Sequence, residues 1–134
     1  MGYRSAVTAA VYGDYETLTT YMAKDKLEHG DDSIFAHFKG QLKRFEIPFH
    51  KGVLSVLMIE LDHVKWYDEY IDVKSWHRFM DGCEESDLSY EFVRIGEDYD
   101  DIDRQEGGVA TEGLLYTSVS IEKDYPQPTK EEIL

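Results

Sequence analysis

The run Val53-Leu-Ser-Val-Leu-Met-Ile-Glu-Leu61 is the most apolar stretch of the chain. Its length and β-branched content suit the central strand of a sheet, and the remaining segments must be arranged around it. Ahead of it, Ala6 to Tyr12 reads as a strand closed by Gly13-Asp14. Asp14 is placed to cap a helix from Tyr15 to about Leu27, with Leu18, Tyr21, Met22 and Asp25 on one face and Gly30 as its stop. Ile34 to Phe49 reads as an extended segment ended by Pro48 and by a turn at Lys51-Gly52.

The second half repeats this plan. Val73, Trp76, Phe79, Met80 and Cys83 fall at helical spacing, with Asp72 the expected cap and Gly82 near the end. Leu88 to Ile95 alternates as a strand with Leu88, Tyr90, Phe92 and Arg94 on one side. Gly96 to Gly113 reads as a loop, Leu114 to Ile121 as the last strand, and Pro126 and Pro128 as the release into a short tail. The expected fold is therefore α+β: an antiparallel or mixed sheet with two helices on one face, ferredoxin-like β-α-β-β-α-β plus one extra strand. One domain over residues 1–125 and a tail over 126–134 complete the expectation.

A chain of 134 residues with 42% apolar and 13% aromatic content can bury enough surface to fold despite 31% charged residues. The single cysteine, Cys83, excludes an intramolecular disulfide and a cysteine-based zinc site, and it fits a reducing cytosol. The opening Met-Gly-Tyr-Arg-Ser-Ala-Val has too short an apolar run for a signal peptide, and no stretch approaches the roughly 18 apolar residues of a membrane span. A cytoplasmic protein without membrane contact is expected.

The net charge of −14 is unevenly placed. Residues 1–58 carry seven acids and seven bases, whereas residues 59–106 carry sixteen acids against five bases. Such acidity opposes direct contact with phosphate backbones or anionic lipid, yet an acidic surface can imitate nucleic acid to a basic partner. The candidate partner-binding residues are the acids of the densest run, Glu97, Asp98, Asp100, Asp101, Asp103 and Glu106, together with Trp66, Tyr67 and Tyr70 of the aromatic segment Trp66-Tyr-Asp-Glu-Tyr70. Aromatics interleaved with acids suit an interface with an apolar centre and a charged rim.

No motif for chemistry accompanies this charge. Asp101, Asp103, Gln105 and Glu112 match positions 1, 3, 5 and 12 of a calcium loop, but Glu106 occupies the place where the sharp turn needs glycine. His29, His37, His50, His63 and His77 lack short zinc-ligand spacings, and Asp62-His63 is an isolated acid and imidazole pair. Gly107-Gly108 is not followed by the lysine of a phosphate-binding loop, and Ser118 to Ser120 show no nucleophile elbow. No catalytic residue, metal or cofactor is expected.

The opening Met1 to Val7 and the segment Phe92-Val-Arg-Ile-Gly-Glu-Asp-Tyr-Asp-Asp-Ile102 resemble small bacteriophage and prophage proteins. That resemblance implies a setting, an accessory factor that binds host machinery, and carries no catalytic residue with it. The leading expectation is a non-enzymatic acidic protein engaging a basic surface of a host factor, with a DNA-mimic-like inhibitor of host defence as its sharpest form. A homodimeric assembly module built on exposed strand edges and the 53–61 run is the competing class, and a small-ligand binder or enzyme is the third.

Overall fold

Asp14 closes the first strand and opens the first helix: its carboxylate accepts from the Thr17 N–H at 3.3 Å. In this computed structural model, which describes residues 3–49, 52–98, 100–109, 112–117 and 121–134, β1 (Ser5–Gly13) leads into α1 (Tyr15–His29). A 3-10 turn and the one-turn α2 (Ile34–His37) follow, then β2 (Leu42–Phe49) and β3 (Gly52–Val64). The second half holds α3 (Ile71–Asp81), β4 (Ser89–Gly96), β5 (Ile102–Gly108), β6 (Leu115–Thr117), β7 (Ile121–Lys123) and β8 (Thr129–Ile133).

The main sheet has six strands in the order β5-β4-β1-β3-β2-β8, with every neighbouring pair antiparallel. Its four inner strands run β4-β1-β3-β2, so the helical connections β1→β2 and β3→β4 each step over one strand. The apolar run is central, as its composition requires: β3 lies between β1 and β2. It is also buried on both sides. Leu57, Ile59 and Leu61 pack towards α1, α2 and α3 with Leu18, Met22, Trp76, Phe79 and Cys83. Val56 and Met58 face the other way, where Ala10, Tyr12, Phe45 and Val93 meet Leu114 and Leu115. Side chains alternate across a strand, so a run buried on both faces is apolar without alternation.

Five expectations change. The segment expected as a loop from Gly96 to Gly113 contains β5, which pairs residue by residue with β4 from Ile95↔Ile102 to Ser89↔Gly108; strand pairing outweighs the low β-propensity of Asp and Gly. The single last strand is two, β6 and β7, paired in a separate small sheet over the second face. Residues expected as a released tail include β8, which pairs with the outer edge of β2 after the two prolines. The start of the segment expected to be extended is instead α2, whose Ile34 N–H donates to the Asp25 carboxylate at 3.1 Å. Finally, Tyr70 rather than Asp72 occupies the cap position of α3, and Asp72 accepts from the Val73 N–H within the first turn. With two strands added at the sheet edges and a hairpin on its second face, the sheet has more strands than the expected arrangement with one extra.

Candidate functional site

Tyr3 joins the two segments that carry most of the expected partner-binding residues. Its N–H donates to the Tyr67 hydroxyl at 2.6 Å, while its own hydroxyl donates to Asp101 at 2.6 Å and accepts from the Asp98 N–H at 3.1 Å. The loop between β3 and α3 is thereby tied to the β4–β5 turn. Between them lies a cleft of about 360 Å³ lined by Tyr3, Ser5, Trp66, Tyr67, Asp68, Glu69, Arg94, Asp101 and Asp103. Four carboxylates and one guanidinium line it.

Arg94 organises this cleft. It projects from the helix-facing side of β4 and donates to both Asp101 oxygens, at 2.9 and 3.3 Å, and to the Ser5 hydroxyl at 3.2 Å. Asp103 stands opposite it in the β4–β5 ladder. The hydrogen bonds from Arg94 and Tyr3 hold the Asp101 carboxyl below the ordinary carboxylate range, and the bond to Asp101 raises the Tyr3 hydroxyl and Arg94. Asp101 is thus neutralised locally. Asp68, Glu69 and Asp103 contribute the net negative charge of the cleft, and Tyr67 and Tyr70 meet edge-to-face at 5.2 Å beside it.

The other expected residues divide among different surroundings. Trp66 is buried against Phe38, Phe92 and His77, so its indole belongs chiefly to the core. Glu97 accepts from the Arg4 N–H at 3.1 Å, and Glu97, Asp98 and Asp100 are exposed on the turn. Glu106 lies on the opposite face of β5, 3.6 Å from Arg104. The acidic run is consequently not one continuous face: alternation along β5 sends Asp103 and Gln105 to one side and Arg104 and Glu106 to the other. Asp103 and Gln105 are spread along β5 and Asp101, just before it, is bonded to Arg94, so the three do not wrap around an ion, and no group of three His, Cys, Asp or Glu among the described residues is placed to hold a metal.

Four residues emerge that sequence alone did not single out. Arg94 was visible only as a strand residue, and Asp68 and Glu69 only as polar spacers between aromatics. The fourth is a buried charge. Glu91 is fully buried on β4, where its carboxylate accepts from the Tyr12 hydroxyl at 2.5 Å, the Leu114 N–H at 3.0 Å and the Leu115 N–H at 3.1 Å. Burial, then the bond to Glu91, raises the Tyr12 hydroxyl far above its usual range. Glu91 fastens the segment before β6 and is structural. In strand alternation it is indistinguishable from a solvent-facing acid.

Of the expected bland residues, His37 donates from Nε2 to the Asp32 carboxylate at 2.8 Å, and Cys83 is buried with its thiol pushed up to about 12 by desolvation. His63 has a left-handed backbone, φ 55°, at the end of β3. His50, Lys51 and Ser118 to Ser120 lie outside the described residues. No described helix is long and apolar enough to cross a membrane. Comparison with protein-family models, with curated proteins and with solved structures finds no match to this chain.

Proposed function

We propose that this chain is a non-enzymatic binding protein whose cleft between the 65–70 loop and the β4–β5 hairpin receives a basic segment of a protein partner. The observation that carries this reading is the cleft's composition: Asp68, Glu69 and Asp103 lie near one another, while Arg94 is occupied by Asp101. Tyr67 and Tyr70 add flat amphipathic surface against which the stem of an arginine or lysine can pack. The resemblance to bacteriophage and prophage proteins is the ground for placing that partner in a bacterial host. The inner strands β4-β1-β3-β2 with two stepped-over crossovers support reading the frame as ferredoxin-like, extended at both edges. Separation of Asp103 from Glu106 across the sheet weighs against a phosphate-like row, so a basic peptide segment is favoured over a DNA-mimic role.

The test uses a fluorescent arginine- and lysine-rich peptide and reads anisotropy. Affinity should fall at least about tenfold between roughly 50 and 300 mM salt, because only short-range attraction survives screening. The triple variant D68N/E69Q/D103N, which leaves the Arg94–Asp101 pair intact, should remove binding. Undiminished affinity in that variant would exclude the cleft.

A further inference from the structure

The two edges of the main sheet differ in how they are finished. At one edge β8 is irregular: its pairing with β2 shifts register between Arg44 and Glu46, Lys130 has φ 54°, and Pro128 precedes it. Those are devices that discourage further strand addition. At the other edge β5 continues through seven consecutive pairs with β4 without a shift, and among the described residues no strand lies on its outer side. Of its exposed side chains Ile102 is apolar, while Arg104 and Glu106 are charged, which by itself also discourages pairing. Their order, however, is self-complementary.

Hydrogen bonding sets which groups face outward. Gly96 N–H donates to Asp101 O at 2.8 Å and Val109 N–H to Leu88 O at 3.2 Å, at the two ends of the ladder. In an antiparallel ladder such pairs recur at every second residue. Asp103, Gln105 and Gly107 therefore direct their N–H and C=O groups to β4, and Ile102, Arg104 and Glu106 direct theirs to the open edge. A second β5 can pair antiparallel only in registers that set outward residues opposite outward residues. The register centred on Gln105 places Arg104 opposite Glu106 of the second copy, twice by symmetry, and Asp103 opposite the second copy's Gly107. Moving it by two residues in either direction sets Arg104 against Arg104 or Glu106 against Glu106. Charge thus selects one register, with opposite charges on directly facing positions. Within one chain Arg104 reaches Glu106 and Glu91 only at 3.6 and 3.9 Å, so its guanidinium retains donors for a closer partner.

We infer that the β5 edge pairs with β5 of a second copy of this chain, through a twofold axis at Gln105, to form a continuous twelve-stranded sheet. The axis stands perpendicular to the sheet, so both helical layers and both clefts face the same way. A seven-residue strand buries little area, and each chain carries −14, so the association is weak and concentration-dependent. The inference is independent of what the cleft binds.

Sedimentation equilibrium of the full chain at about 150 mM salt, where charges beyond about 8 Å are screened, tests it. The weight-average mass should rise towards that of a dimer as concentration rises to about the millimolar range. R104E and E106R should each weaken association about tenfold or more, and R104E/E106R should restore it to within a few-fold of the parent. Glu106→Pro removes an outward N–H without breaking a bond to β4, and it should abolish the dimer while leaving the thermal midpoint nearly unchanged. A parent chain that stays monomeric over this range overturns the inference. So does a dimer indifferent to Glu106→Pro, or single reversals that the double reversal fails to rescue.

Discussion

Glu91 shows how much one residue can depend on the layer above it. Its carboxylate satisfies two backbone donors, at Leu114 and Leu115, and the Tyr12 hydroxyl, which in turn accepts from the Glu112 N–H at 2.8 Å. A fully buried acid is tolerable only when its acceptor sites are filled in this way. Replacing Glu91 with Ala leaves those donors unpaired and opens a void, and the expected loss is about 2–4 kcal/mol in urea denaturation. Glu91→Gln retains one acceptor oxygen and should lose less. If Ala and Gln behave alike and neither loses as much as about 1 kcal/mol, the anchor is unimportant to stability. Strand alternation marks Glu91 as outward from the helix-covered face, which is correct. What alternation omits is that the outward face is also covered.

At the scale of elements, those whose pattern is local were legible: β1, α1, β3, α3 and β4 all lie where periodicity puts them, although the cap of α3 is Tyr70 and not Asp72. Asp14 caps α1 through its own side chain, and the buried faces of both long helices follow a spacing of three and four residues. Missed elements are those that exist because of a neighbour. β5, with four polar side chains, two glycines and one isoleucine, is ordered by its ladder with β4, and β8 is ordered by the free edge of β2. Gly108 marks where β5 ends. It has φ +99°, and a Cβ there would overlap the Leu88 carbonyl oxygen and the Ser89 backbone. Gly108→Ala should destabilise the protein by at least about 2 kcal/mol, with hydrogen exchange fastest to increase along β5, because both strain and backbone overlap oppose it. Stability equal to the parent would show that this turn relaxes freely.

For the molecule as a whole, ion pairs join parts that the backbone does not. Arg78 reaches Asp32 at 3.1 Å, Lys123 and Lys43 reach Glu60 at 2.9 and 3.2 Å, and Arg94 reaches Asp101 at 2.9 Å. His37 and Arg78 lower Asp32; at Glu60, burial alone would raise the carboxyl, but Lys123 and Lys43 bring it below its usual value. A carboxylate lowered in the folded state contributes stability that is present above its unfolded value and lost as pH falls through the folded one. Asp25, raised by burial against the opposing bond from Ile34, works in the reverse sense: its contribution is present below the ordinary carboxylate range and lost as pH rises. Three lowered groups against one raised predict a thermal midpoint that falls on acidification below about pH 4. A midpoint that keeps rising to about pH 3, as relief of net negative charge alone would produce, would show that these pairs contribute little. By itself the sequence determined the central strand, the two long helices, the helix-facing core and the concentration of acid in residues 59–106, because periodicity, capping and charge are properties of neighbouring residues. The tertiary structure alone decided that the second face is covered, that Trp66 is core, that Asp101 is occupied by Arg94, and that Asp68, Glu69 and Asp103 share a cleft. Those outcomes depend on contacts between residues far apart in the chain, whose partners no local pattern names.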